Sequence, residues 1–268
     1  MRMKISEVER EYIFLDLLVH RGQTAVDIGA NHGLYTNRLY HIGCSVFAYE
    51  PIELLAADLK SRHWNHDQVH VFNMALSDRA SHATLRIPRI DDQLSCGLAS
   101  LNDHIKSSQE GYVEVTVQTS TLDQLDISDI AFVKIDVEGY EQEVLKGSVE
   151  TIQKDHPIIL IELEERYRKG TLQNSYDFLR CYRYKGYYYD KKEKLMKAYS
   201  VPMVLENQTG FYSGQQCDYM NNFIFIYGED HTDIIEQINT RMKYVERYID
   251  NSLEVKSDEE IALHRTEE

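Results

Sequence analysis

From residue 24 onward, short runs of β-branched and aromatic residues alternate with stretches whose apolar side chains recur three and four positions apart. Residues 24–28, 45–49, 69–72, 131–135 and 156–164 read as strands. Residues 34–41, residues 52–62 and the stretch after Gly139 read as helices, with Leu54, Leu55 and Leu59 turned inward. Alternation of this kind predicts an α/β domain with a parallel sheet and helices on both faces. Ahead of it, Ile5, Val8, Tyr12, Leu15 and Val19 mark one face of a helix over 5–20, with Gly22 as its C-cap.

The pattern loosens between 80 and 120. Residues 83–87 and 113–117 read as strands around a polar stretch, 91–111, that has the length and composition of a lid or binding segment. Thr121-Leu122-Asp123 starts a short helix or turn. Residues 175–185 read as a helix, 187–189 as a strand and 222–227 as the last strand, closing a domain over 1–228. The extension 229–268 carries 12 acids against 5 Lys and Arg. Asp233 is placed as its helix N-cap, and Ile235, Ile238, Met242, Val245 and Ile249 form an apolar seam. Such a seam either docks on its own domain or pairs two subunits, so a homodimer through this helix is a candidate assembly; the last 15 or so residues are charge-rich and expected to fray.

Composition narrows the partners. A formal net charge of −15 over 268 residues repels phosphate backbones, which argues against a nucleic-acid substrate. No run approaches the ~20 apolar residues of a membrane span, and the N-terminus lacks a secretory h-region. The four cysteines form no CxxC pair and read as free thiols in a reducing compartment, so the expected location is cytoplasmic.

The chemistry concentrates at Ala25-Val26-Asp27-Ile28-Gly29-Ala30-Asn31-His32-Gly33. A strand that turns on glycine and feeds a helix puts backbone N–H groups beside an acid. A dinucleotide turn needs a middle glycine for the pyrophosphate; here Asn31 and His32 fill that space, so a smaller methionine-like moiety fits, its ammonium near Asp27 and the turn. Glu50, 17 residues after Gly33, ends the next strand, where a carboxylate accepts both ribose hydroxyls. Together these point to S-adenosylmethionine.

The strings Val26 to Thr36, Phe47-Ala48-Tyr49-Glu50-Pro51, Ala75-Leu76-Ser77-Asp78 and Lys134-Ile135-Asp136-Val137-Glu138-Gly139-Tyr140-Glu141 resemble the successive motifs of FkbM-type methyltransferases, over about residues 12–228. The resemblance implies a class I methyltransferase (Rossmann-like) fold: a seven-stranded, mostly parallel sheet with one antiparallel strand. It also implies O-methylation of sugars, polyketides or other metabolites. By position it assigns Asp27, Gly29, Ala30, Asn31, Gly33 and Tyr35 to the methionine end, Glu50 to the ribose, and Asn73 and Met74 to the adenine. Asp136 would lie beside the methyl group, as cofactor contact and as the first choice of base.

An alcohol needs a base as its new bond forms. Glu138 and Glu162 stand behind Asp136 as catalytic candidates, with His32 and the loop residue His104 as alternatives. Glu138 and Glu141 have a plainer use at a helix start, and of Glu162 and Glu164 one is expected to be solvated. Lys134 is expected to pair with an acid. No metal is assigned, although Asp136-x-Glu138 spacing permits one. The tyrosines at 182–189, Phe211 and Tyr212 offer either packing or an acceptor wall, so His104, Tyr187 and Tyr212 are the substrate candidates. The favoured activity is transfer to a hydroxyl of a sugar or glycan-type acceptor. The rivals are a polyketide or lipid-like acceptor and a non-catalytic cofactor-binding module.

Overall fold

The computed structural model describes residues 9–102, 111–215 and 217–250. His104, Ile5, Val8, the side chain of Ile249 and the charge-rich terminus lie outside the described residues. The chain opens with two helical turns, α1 (Arg10–Ile13) and α2 (Leu15–Leu18), followed by β1 (Thr24–Ile28), α3 (Leu34–Ile42), β2 (Ser45–Tyr49), α4 (Glu53–Arg62) and β3 (Val69–Phe72). An insertion follows: β4 (Ala75–Leu76), β5 (Ser81–Ile90), β6 (Gln93–Leu94) and β7 (Tyr112–Ser120). Then come β8 (Ile130–Ile135), α5 (Glu141–Lys146), α6 (Val149–Asp155), β9 (Ile158–Glu162) and α7 (Thr171–Cys181). The chain continues through β10 (Tyr184–Asp190), β11 (Leu195–Ala198), α8 (Val201–Tyr212), β12 (Asn222–Tyr227) and α9 (Thr232–Asp250).

The main sheet runs β11-β10-β12-β9-β8-β1-β2-β3. Its strands β3, β2, β1, β8 and β9 are parallel, and β12 pairs antiparallel with β9. Seven of these strands are the expected set; β11, an antiparallel edge strand missed in the sequence, makes an eighth. Period-two alternation sends Val26, Ile28, Val133 and Ile135 into one core with α5, α6, α7 and α8. Ala25, Phe132, Leu160 and Ile224 go into a second core with α2, α3 and α9. β5 and β7 form a hairpin in a separate four-stranded sheet, packed through Leu85, Ile87 and Val117.

Four local expectations change. The N-terminal helix breaks at Phe14, and Gly22 sits in a turn at φ +83°, its N–H bonded to Gly43, rather than capping a helix. Leu54 is 82% exposed, because Leu55 and Leu59 take the inward face of α4 and its own position is rotated away. Asp230, not Asp233, accepts the Thr232 N–H at the start of α9 (3.0 Å). The α9 seam docks on its own domain: Ile238 and Met242 are fully buried beside Phe14 and Leu15.

Candidate active site

From β3 the chain passes through the insertion to β8, on the other side of β1, so the order of the parallel strands reverses between β1 and β8. At such a switch point the loops diverge and leave a crevice beyond the carboxyl ends of the strands. Gly29 makes the approach possible. At φ +82°, its Cβ would lie 1.9 Å from the carbonyl oxygen of Asp136, and the Asp136 N–H donates to Ile28 O at 3.0 Å. One bank of the crevice is Tyr49, Glu50 and Pro51; the other is Asp136, Val137 and Glu138.

Glu50 is 3% exposed and welds two loops together. Its Oε2 accepts the Asn31 N–H and its Oε1 the Ile52 N–H, both at 2.8 Å. Burial pushes its carboxyl up to about 7 despite those two donors. Each carboxylate oxygen accepts two hydrogen bonds, so a site on each oxygen is left for a pair of hydroxyls. Asn31, at φ +49°, lines the crevice, and its Oδ1 is buried without a partner.

Other residues expected at the cofactor do not line the crevice itself. Asp27 points to the opposite face of β1 from Ile28, is 2% exposed and accepts the Thr36 hydroxyl at 2.6 Å. Burial raises its carboxyl to about 6. Tyr35 is buried with its hydroxyl on Glu9. Ala30 packs with Ala48 and Leu59, and Gly33 caps α3 where a Cβ would meet Leu59 Cδ1 at 2.3 Å. Asn73 Nδ2 donates to Glu50 O (3.0 Å) and Pro51 O (2.9 Å), Met74 leans on the core, and Ala75 and Leu76 line the crevice instead.

On the other bank the carboxylates divide by role. Asp136 faces Lys134 at 3.5 Å, as an acid-pairing lysine should. Lys134 is 1% exposed, with its ammonium 5.1 Å over the Tyr35 ring. Burial works against that charge, but Asp136, Glu9, Glu162 and Asp27 outweigh it and hold the amine above the ordinary lysine range. Glu141 does the helix-start work, its Oε1 accepting the Gly139 N–H at 2.7 Å. Glu138 does not. Held at φ +54°, it faces the crevice with a buried, unpartnered Oε2. Burial, reinforced by Asp136, pushes its carboxyl up to about 8, while the Tyr167 hydroxyl acts the other way.

Glu162 accepts the Asn221 amide at 2.7 Å, and burial with Asp136 nearby holds its carboxyl well above the usual range. Glu164 is not solvated. The strand ends at Glu162, so alternation no longer governs it, and at 3% exposure it binds Arg166, Tyr212 and Tyr219. Tyr212 thus stands beside the carboxylates. Tyr187 does not: its hydroxyl lies 3.0 Å from His231 Nδ1, and His231 bonds Tyr227 O at the far end of the sheet. His32 is exposed, its carbonyl taken by Arg62 at 2.7 Å.

Cys96, Gly97, Ala99 and Leu101 form the roof. Asn102 pins it, its Nδ2 donating to Tyr167 O at 3.0 Å and Gly139 O at 3.4 Å. Tyr49, Tyr140, Tyr167 and Asn102 were not singled out in the sequence, because an isolated tyrosine or a loop asparagine carries no local signal; only the strand ends mark where such side chains will converge.

Five parallel strands in the order β3-β2-β1-β8-β9, the antiparallel β12 beside β9 and a carboxylate ending β2 define a class I methyltransferase fold. The sequence matches the Methyltransferase FkbM domain over residues 27–189, and the chain belongs to that family. It is therefore a methyltransferase domain whose methyl donor is S-adenosylmethionine. Among solved structures, it is similar to a methyltransferase FkbM from Methylobacillus flagellatus KT, with 17% identity and a TM-score of 0.52 over 83% of this chain. This chain spans about half of that protein (49%). Weaker likenesses include a precorrin-6y C5,15-methyltransferase from Geobacter metallireducens GS-15, with 10% identity and a TM-score of 0.42 over 82% of this chain and 87% of that one. Another is a SAM dependent methyltransferase from Aquifex aeolicus, with 12% identity and a TM-score of 0.41 over 81% and 88%. Curated protein sequences give no significant match.

The crevice fits the donor in kind. It offers Glu50 for a diol, the orphaned Asn31 Oδ1 for a polar hydrogen, and carboxylates for positive charge. It encloses about 70 Å³, well below the ~300 Å³ of a typical ligand pocket, with Cys96, Gly97, Ala99 and Leu101 lying over it. Among the described residues no helix is long and apolar enough to cross a membrane.

Proposed function

We propose that the protein transfers a methyl group from S-adenosylmethionine to a hydroxyl of a sugar or glycan-type metabolite in the cytoplasm, with Glu138 as the base. The observation that carries the reading is Glu138 itself. It is the carboxylate on the crevice that combines an unpartnered oxygen with a carboxyl raised to about 8, whereas Asp136 already faces an ammonium. S-adenosylmethionine, when bound, supplies an electrophilic methyl group on a positively charged sulfur.

The chain's own residues do the rest. Glu50 holds the ribose hydroxyls, Tyr49, Ala75 and Leu76 flank the adenine, and the Gly29 turn lets the ligand approach the backbone. The roof over Cys96–Leu98 lifts to admit it. Asp136, ion-paired with Lys134, faces the positive end. Glu138 ionises more readily beside a cation, so loading the crevice lowers its carboxyl from about 8 towards neutral pH, where a base is most effective. The acceptor's proton would pass to Glu138 as the acceptor oxygen bonds to the methyl carbon and the methyl–sulfur bond breaks, with S-adenosylhomocysteine as the leaving group. Alignment at the strand ends supplies the remaining rate.

Labelled methyl transfer across nucleotide sugars, glycans and polyketides tests the reading. A methylated saccharide hydroxyl is the expected product. Methylation confined to polyketides would overturn the acceptor class, and undiminished turnover in Glu138→Gln would remove the assigned base.

A further inference from the structure

Beyond Glu138 the crevice bank continues into an aromatic corner. Phe211 and Tyr212 end α8 at 42% and 49% exposure, a large apolar surface to leave open in a folded chain. Their arrangement is fixed with Tyr219: Phe211 and Tyr212 lie 5.5 Å apart at 89°, and Tyr212 and Tyr219 5.5 Å apart at 78°. One buried group sets it. Glu164 Oε2 accepts the Tyr212 hydroxyl at 3.0 Å and the Tyr219 hydroxyl, while Oε1 accepts Arg166 at 2.9 Å. With the hydroxyls drawn inward, Phe211 and Tyr212 stay exposed, the Arg166 guanidinium lying 5.6 Å from the Tyr212 ring centroid. The corner joins the reaction centre through Tyr167, beside Glu138 and 4.3 Å under the Arg166 guanidinium.

We propose that this corner is the acceptor subsite, and that its occupant is a saturated hydroxylated ring of the pyranose type. The inference rests on the methyltransferase reading above. No two of these rings are parallel, since Phe211 and Tyr219 are tilted at 40° and the other two pairs are edge-on; they form no slot for a flat aromatic acceptor and instead offer separate stacking faces, which suits the C–H face of a sugar. Arg166 balances Glu164, so the corner has no surplus negative charge to recruit a cation. The nearby Glu138 and Glu162 accept hydrogen bonds from ring hydroxyls. Glu164 is a positioning residue, since its oxygens are spent on the groups it orients.

The test is saturation-transfer NMR on the full chain loaded with S-adenosylhomocysteine. The probes are the methyl pyranosides of gluco, galacto, manno and rhamno configuration, with phenol as the flat comparison. At least one pyranoside should show saturation concentrated on the C–H protons of one ring face. Tyr212→Ala should weaken that binding about tenfold. Trp64→Ala, at an 82% exposed site outside the corner, should stay within about twofold. Equal pyranoside binding in Tyr212→Ala, or a signal from phenol alone, would overturn the subsite. No pyranoside signal while S-adenosylhomocysteine binds would also overturn it and leave the methyltransferase reading standing. Failure of S-adenosylhomocysteine to bind would remove both.

Discussion

The two banks of the crevice are both acidic, yet they spend their carboxylates differently. On the β2 bank, each Glu50 oxygen already takes a backbone N–H from a different loop. On the β8 bank, Glu138 keeps an oxygen buried with no partner, at a backbone conformation that costs a non-glycine residue energy. A carboxylate anchored by one main-chain donor on each oxygen is a fixture that sets shape and keeps one site per oxygen for a ligand. One left unsatisfied is poised to exchange a proton. Charge alone does not distinguish them; the hydrogen-bond partners do.

Replacing the poised group is expected to have the largest effect. Glu138→Gln keeps size and removes the base, so turnover should fall about 10²–10⁴-fold. S-adenosylhomocysteine affinity by calorimetry should stay within about twofold. If both fall together, the two banks do not divide the work. Glu50→Ala should reverse the pattern: cofactor affinity falls at least about tenfold, and stability drops by roughly 1–3 kcal/mol because two loop N–H groups lose their acceptor. Unchanged affinity would reject the ribose role.

The difference between the banks is only partly visible in the sequence. Some strand ends are written plainly, since runs closing on Glu50 and Asp136 mark where β2 and β8 stop, whereas Asp27 lies inside β1 and β9 stops at Glu162, two residues short of the 164 read from the sequence. The glycine at position 29 likewise announces a close approach, which the structure shows against Asp136. Which face each acid takes is harder. Asp27 and Ile28 are neighbours in the chain and point to opposite sides of the sheet, so proximity to the motif does not by itself bring Asp27 into the crevice lining. Glu164 misled for a related reason: period-two reasoning fails once the strand has ended. The insertion over β5–β7 and the edge strand β11 are the weakest in pattern because they are half-exposed. What roofs the crevice depends on Asn102 meeting Tyr167, 65 residues away, which no local spacing encodes.

The two banks share one property that titration reads. Burial holds Glu50 and Glu141 at about 7 and Glu138 at about 8, against an ordinary glutamate value of 4.5. The folded protein therefore binds more protons than the unfolded chain between roughly pH 4.5 and 8, and stability falls as pH rises through that window. For the largely buried Glu141 the contribution is on the order of 3 kcal/mol, or roughly 5–10 °C in Tm. It is fully present below about pH 4.5 and lost above about pH 7. Melting the ligand-free protein at pH 5.5 and 8.5 should show the higher Tm at the lower pH. Glu141→Gln should flatten the difference, whereas a Tm that rises with pH would show that these acids ionise freely.

The smallest effect is expected furthest from the crevice, and it separates the aromatic residues as the carboxylates were separated. Tyr187 lies among the tyrosines that the chain offers as an acceptor wall, but its hydroxyl bonds His231 under α9 rather than facing Glu138. Tyr187→Phe should cost about 1 kcal/mol of stability for one lost hydrogen bond and leave kcat and KM within about twofold. Tyr212, whose hydroxyl reaches Glu164 beside the reactive bank, should instead raise KM about tenfold when cut to alanine. Measured side by side on one acceptor, the two substitutions ask whether position around the sheet, rather than aromatic character, decides which tyrosines meet substrate. A KM shift in Tyr187→Phe as large as that in Tyr212→Ala would erase the distinction.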